Sequence, residues 1–342
     1  MRSLVLIALL LFVVQDFHLY SQPAAGNPAR FMFYNVENFF DTRDDPEKDD
    51  DEFLPSGERR WSFARYTRKK NSICKVIVAA GEWDPPALVG LCEIENRSVL
   101  DDLLATSYLE KYGYSVIHEE SGDPRGIDVA LLYRQDVITP ILSRYLIPEG
   151  YSPGTFLTRA VLYAKLLIND DTLHLFINHW PSRRGGTLSG QPLRIELAGM
   201  IRHYCDSISA ANSNRVKILI AGDFNSTPLD REIMLLCGGQ EGRGGVAGIT
   251  NLSSVCSAED KGTYRYMGLW ETIDQILVSD DLIESDTGLY VKNNGFKIFS
   301  EDFLMKKDPK YPGVTPLSTF YGYRYQGGFS DHLPVIIDLY CR

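Results

Sequence analysis

Residues 327–335 read GGFSDHLPV, with an acid and a histidine side by side immediately before the apolar run LPVIIDLY of residues 333–340. A run of that length bounded by a turn signal has the character of a strand buried on both faces. An Asp and a His at its mouth are costly to desolvate unless each is paired or ligates something. The pair therefore requires partners elsewhere in the chain.

Further short apolar runs bounded by turn signals are FMFYNV (31–36), LVGLCEI (88–94), IDVALLY (127–133), VLYAKLLI (161–168), LHLFINH (173–179), VKILIAGDFN (216–225) and IDQILV (273–278). Helical patterns lie between some of them: 62–81, with Gly81 as a stop, 98–112 and 192–208. Many buried strands interleaved with helices imply an α/β fold in which helices cover sheets. No short repeat and no Pro/Ser linker divides the chain, so one domain is expected from about Ala29 to the end.

The first residues, MRSLVLIALLLFVV, place one Arg before an apolar run too short to span a bilayer. This predicts a signal peptide over 1–21, cleaved near Ser21 and Gln22, a mature domain of 22–342, and a periplasmic or secreted protein without stable membrane insertion. The formal net charge of -10 argues against gripping polyanions by bulk charge. A phosphate ligand must then be held locally, by a metal ion or a few placed arginines. Six cysteines are too few for a disulfide scaffold. Cys92 reads as a buried thiol, and Cys237 and Cys256, flanking the Gly-rich GGQEGRGGVAG, are the pair expected to bridge. The loop GGQEGRGG is expected to be mobile. The acidic run DTRDDPEKDDDEF (41–53) lacks EF-hand spacing and reads as a solvated loop.

Nearly every strand carries a polar group at its end or in the adjoining turn: Asn35, Glu93, His179, Asp223 with Asn225, and Asp274 at the start of its run. Singly, each has an ordinary reading. Asn35 suits a strand-ending turn, Glu95 and Asn96 suit a helix cap, His179 suits a satisfied core histidine, and GDFN suits a type I turn. With the Asp331-His332 pair these are six motifs in order, and they are not six coincidences. Gathered at one rim, they supply oxygens for a hard cation, imidazoles for proton transfer and an acid to orient one of them.

The ordered set YNVENFFD, LCEIEN, GIDVALLYR, NHWPSRRGG, AGDFNSTP, IDQILVS and FSDHLPV resembles the endonuclease/exonuclease/phosphatase superfamily over essentially the whole mature chain. Within it, YNVENFFDTRDDPEKDDDEF, HWPSRRGG and GGFSDHLPV are most similar to secreted nucleases of Bacteroidetes-type bacteria. The resemblance implies a four-layer α/β-sandwich, two packed mixed sheets flanked by helices. It implies Glu93 as the main ligand of Mg2+ or Mn2+, with Ca2+ a further candidate, helped by Asn35 and Asp331. It makes His332 the active-site histidine, held by Asp274, and has Asp223 and Asn225 position the attacking water. Whether His332 or Asp223 accepts the water's proton stays open. His179 would bond a phosphate oxygen or protonate the leaving group, with Asp128 as its orienting acid.

Arg125, Arg183 and Arg184 suit bidentate phosphate contacts. Gln275, where relatives often carry Tyr or His, bears on substrate contacts. The expected substrate is nucleic acid, DNA cleaved internally first and RNA as the alternative, with the basic, Tyr-rich segment 306–328 beside His332, and a monomer is expected. The competing readings are a phosphatase or sphingomyelinase of the same fold and a binding module without catalysis.

Overall fold

The computed structural model describes residues 28–342 apart from 83, 153–154, 184–189, 213–215, 239–247 and 257–261. The leader expected over 1–21, most of the Gly-rich loop after Cys237, and Arg184 lie outside the described residues. The chain runs β1 (Ala29–Phe39), α1 (Phe63–Ala80), β2 (Leu88–Ile94), α2 (Arg97–Ala105), β3 (Tyr114–His118), β4 (Asp128–Arg134), β5 (Ile138–Leu146), β6 (Val161–Ile168), β7 (Asp171–His179), α3 (Gln191–Ala211), β8 (Lys217–Asp223), α4 (Arg231–Leu236) and β9 (Ile249–Asn251). There follow a hairpin of β10 (Tyr264–Tyr266) and β11 (Leu269–Glu271), then β12 (Asp274–Ser279), β13 (Leu289–Tyr290) and β14 (Lys297–Ile298). Two more hairpins, β15 (Met305–Lys307) with β16 (Val314–Pro316) and β17 (Phe320–Tyr321) with β18 (Arg324–Tyr325), precede β19 (Val335–Cys341).

One sheet has the order β13-β19-β1-β2-β4-β3, with β14 also on β19, and the other β5-β6-β7-β8-β12-β9. Each holds one parallel pair, β1 with β2 and β7 with β8, joined through α1 and α3. Alternation builds the layers. Phe31 and Phe33 of β1 point into the layer between the sheets with Leu175, Ile177, Leu219, Ala221 and Ile276. Met32 and Tyr34 point the other way, onto Ile73, Cys74 and Ile77 of α1. On the far side, Phe176, Ile218 and Ile220 meet Leu197, Ile201 and Cys205 of α3. Three apolar layers between four layers of elements make the α/β four-layer sandwich, and truncating a fully buried Leu or Ile in the central layer to Ala should cost about 2–5 kcal/mol. Gly90 lies in that layer because a Cβ there would meet Ile177 Cδ1 at 2.7 Å.

The strand runs are found near their expected bounds, and Asn96 caps α2 by accepting from Val99 N at 3.1 Å. The second helix is shorter than its pattern. It ends at Ala105 because Thr106 turns its hydroxyl back onto the Asp102 carbonyl and carboxylate, offering the backbone an alternative to another turn. Cys92 is a buried free thiol as expected. The bridge expected between Cys237 and Cys256 involves a side chain, that of Cys256, which lies outside the described residues. No helix among the described residues is long and apolar enough to cross a membrane.

Candidate active site

Strand register places the second sheet's contribution. His179 is opposite Asp223 across the parallel β7–β8 pair, and Asp223 is opposite Asp274 across the antiparallel β8–β12 pair. All three follow the inward-facing alternation of their strands and so emerge side by side at the rim of the inter-sheet layer. Asp274 Oδ2 accepts from His332 Nδ1 at 2.8 Å. The backbone of His332 is fixed by donation to Ser330 Oγ at 3.0 Å, and its ring is covered by Tyr264 at 4.9 Å between centroids. This is why the Asp-His pair stands before its strand: the loop entering β19 delivers the imidazole to an acid on the other sheet.

The first sheet reaches the same rim by breaking its register. Asn35 pairs with Cys92, but the next pair is Phe39 with Ile94, so three residues of β1 are set against Glu93 alone. Glu37, Asn38 and Glu93 take up the slack with φ of 52°, 55° and 61°. Such backbone is unfavourable for residues with a Cβ and marks a site where a side chain has been re-aimed. Simple alternation after Cys92 would turn Glu93 outward; instead its Oε1 accepts from Asn35 Nδ2 (3.3 Å) and its Oε2 from Asn38 N (2.9 Å). Asn35 also donates to Asp223 Oδ2 at 3.1 Å, joining the two sheets.

Asp223 Oδ2 is thus the hub, with His179 Nε2 at 3.8 Å and His332 Nε2 at 3.9 Å. The two rings differ in charge. Burial disfavours a charged His332, but the facing Asp274 and Asp223 outweigh it and hold its pKa well above the usual value. Burial, reinforced by Arg159 and Arg125, holds His179 well below, so it is neutral. Burial raises Asp223 to about 7 against the pull of His332.

These groups line a cavity of about 430 Å³ with Glu93, Asp331, Tyr264 and Arg159. Hard oxygens suit a divalent ion there. Glu93 is anchored by two N–H donors yet partly open to the cavity, and the Asp331 side chain is 43% exposed. Asn35 turns its amide nitrogen to the two acids while its Oδ1 accepts from Glu37 N, so it orients the carboxylates. Asp223, Asp274 and His332 also present ligand atoms within 4.8 Å of one another.

Several expectations need correction. Asp128 does not orient His179: it pairs with His118 Nε2 at 2.9 Å and accepts from Ser121 N, while His179 Nδ1 is buried with no hydrogen-bond partner among the described residues. Arg183 lines the cavity, but its donors go to the Asn225 carbonyl (2.7 Å), Asp230 (2.7 Å) and Glu271 (3.3 Å), so it braces the GDFN turn. Asn225, at φ 48°, donates its backbone N–H to Asp223 Oδ1 and its amide to the Trp180 carbonyl. Gln275 is fully buried against Ser226 and Asn251 and is not among the residues that line the cavity. Arg125 does line the cavity, paired with Asp123.

Arg159 was not among the candidates. It is buried, bonded to Asp123 Oδ2 (2.7 Å) and the Trp180 carbonyl (2.8 Å), with Nε unpartnered among the described residues, and it lines the cavity. The signal for it was present: in LTRAVLY an arginine precedes a strand, and since β6 runs antiparallel to β7, its beginning lies where β7 ends.

A two-sheet sandwich whose rim collects a held carboxylate, an acid between two histidines and a buried arginine has the groups that phosphoester hydrolysis requires. The chain belongs to the endonuclease/exonuclease/phosphatase family, whose model matches residues 30–340. Members of this family hydrolyse phosphoester bonds, generally with a divalent metal. The fold is similar to that of an endonuclease/exonuclease/phosphatase from Bacteroides vulgatus (16% identity, TM-score 0.56, covering 92% of this chain and 100% of that one). It is also similar to a mannosyl-6-phosphatase from Bacteroides thetaiotaomicron (15%, 0.56, 91% and 98%) and to the human Nocturnin catalytic domain (15%, 0.54, 92% and 95%). No curated protein sequence matches the chain.

Proposed function

We propose that the chain is a phosphodiesterase exported to the periplasm or the medium, using Mg2+ or Mn2+ to cleave nucleic acid, with DNA cut internally as the first substrate to test. The observation that carries this reading is Asp223 standing between a cationic and a neutral histidine, its Oδ2 within 4 Å of each. A bound ion, held by Glu93 with Asp331, would supply positive charge to a phosphate oxygen. Asp223, ionised, accepts the proton of the attacking water. Fixed as an imidazolium by Asp274, His332 cannot take that proton and instead donates to the charge developing on phosphorus-bound oxygen. His179, neutral, offers a hydrogen bond to a second oxygen. Arg159, whose Nε has no partner among the described residues, lines the same cavity and supplies there the local positive charge that an acidic chain lacks in bulk.

The mannosyl-6-phosphatase likeness makes a phosphomonoesterase the reading to set against this one. Closed plasmid, single-stranded DNA, RNA, mannose 6-phosphate, sphingomyelin and inositol phosphates, offered side by side with Mg2+ or Mn2+, separate the two. Nicking of the plasmid to ends bearing 5′-phosphate supports an endonuclease; turnover of the monoesters or the lipid alone overturns it.

A further inference from the structure

Beside the catalytic cavity lies a second of about 380 Å³, and Tyr264, Tyr266 and Asp331 stand in the walls of both. Its remaining walls come from the three hairpins between β10 and β18. The sequence Tyr264-Arg265-Tyr266 alternates along β10, so the tyrosines fall on one side and the arginine on the other. Arg265 is only 6% exposed and ties its own turn to the next hairpin, donating to Gly268 O (3.0 Å), Asp308 Oδ2 (3.0 Å) and Val314 O (2.7 Å). Tyr311 packs on Gly268 so closely that a Cβ there would meet its ring at 2.8 Å. The walls are therefore built and braced.

What they present is unusual for a braced structure. Tyr266 and Tyr321 leave 56% and 57% of their surface to water, and the Lys306 ammonium lies 5.9 Å from the Tyr321 ring. Open aromatic faces with a neighbouring cation, one wall away from His332, suit a flat ring joined to a phosphate. The volume is at the low end for ligand cavities, room for one ring unit and not for a lipid chain.

We propose that this second cavity is a nucleoside subsite, in which the base next to the scissile phosphate stacks on Tyr321 and Tyr266 while Lys306 faces the adjoining phosphate. The inference rests on the reading that the reacting phosphate sits beside His332. Two measurements keep the two ideas apart. The first is the ratio of kcat/KM on a thymidine dinucleotide to that on methyl p-nitrophenyl phosphate, which has no ring on its methyl side. Y321A and Y266A should each lower that ratio about tenfold, and Y321F should restore it; an unchanged ratio in the Y266A/Y321A double variant overturns the subsite. The second is equilibrium binding of thymidine 5′-monophosphate. Binding that the double variant weakens tenfold or more supports the subsite even if no diester is cleaved, an outcome that would sink the hydrolase reading alone. Hydrolysis of other phosphoesters by a wild-type protein that binds no nucleotide overturns the subsite and leaves the hydrolase standing.

Discussion

The two parallel strand pairs invite comparison. Each is a strand, a crossover helix and a strand, β1-α1-β2 and β7-α3-β8, and each ends at the same rim. They deliver their side chains by opposite means. In β7 and β8 the ladder runs unbroken to His179 and Asp223, so ordinary pairing distances set the spacing of the proton-handling groups. In β1 and β2 the ladder breaks, and three residues in left-handed backbone turn Glu93 back toward the site. Where geometry must be tight, the sheet itself is the ruler; where a carboxylate must be turned against the alternation of its strand, local strain does the aiming.

If that division holds, the largest losses come from the regular side. D223N and H332Q should each lower kcat by a thousandfold or more; D223N should not lower the melting midpoint, since burial makes a charged Asp223 costly, whereas H332Q leaves Asp274 buried without its cation and should lower it. Combined in one chain, they should cost little more than either alone, because the two act as a unit. Steady-state kinetics beside thermal melting tests this, and additive losses would separate the pair. On the strained side the loss should be recoverable. E93Q should raise the metal concentration needed for half activity by 10–100-fold while excess Mn2+ restores turnover, and a chelator should silence the wild type. A metal requirement unmoved by E93Q would place the ion elsewhere.

A third test concerns what holds the break in place. The buried Glu37, in the bulge, accepts from Thr319 N (2.6 Å) and Phe320 N (3.2 Å), tying β1 to the segment that leads to His332. E37A leaves both donors unpaired and should cost about 2–4 kcal/mol in urea unfolding, with faster amide exchange at Thr319 and Phe320. Unaltered exchange there would show that the segment is held by Lys69, which donates to Thr319 Oγ1 and the Phe329 carbonyl.

The same contrast explains what could be read from the sequence. The sandwich and the set Asn35, Glu93, His179, Asp223, Asp274 and His332 were legible because apolar runs ending in polar residues are a local pattern, and regular strands carry local pattern into space. β5 was not legible: it is an edge strand with Pro140 at a bulge and mostly exposed side chains, so no apolar run announces it. Pairings across the fold were not legible either. The pairing of Asp128 with His179 rests on the resemblance alone, and a cross-strand neighbour, His118 opposite Ala130, is closer to Asp128. Arg159 was not legible because it precedes its strand in LTRAVLY without a motif of its own, and only the antiparallel pairing of β6 with β7 brings that beginning to the rim. The strain at Glu93 left no mark in composition at all.

The smallest expected effect sharpens the comparison within a single strand. His174 lies in β7, five residues before His179, on the opposite face, with Nδ1 bonded to the Tyr163 hydroxyl at 2.8 Å. It takes no part in the chemistry. Burial, then the cross-strand Lys165, lowers its pKa from 6.5 to about 4. As pH falls below 6.5 the unfolded chain binds a proton there that the folded chain refuses, so the stability is full above that value and is lost as pH falls toward about 4. The loss attributable to this ring should be roughly 1–3 kcal/mol. Carboxylates titrate in the same range, so the measurement is a difference: urea unfolding of wild type and H174F at pH 7 and at pH 4.5. The gap between the two proteins should move in favour of H174F at the lower pH, and a gap that does not change with pH would mean that His174 is protonated in the fold, paired through its hydroxyl partner and not kept neutral by burial.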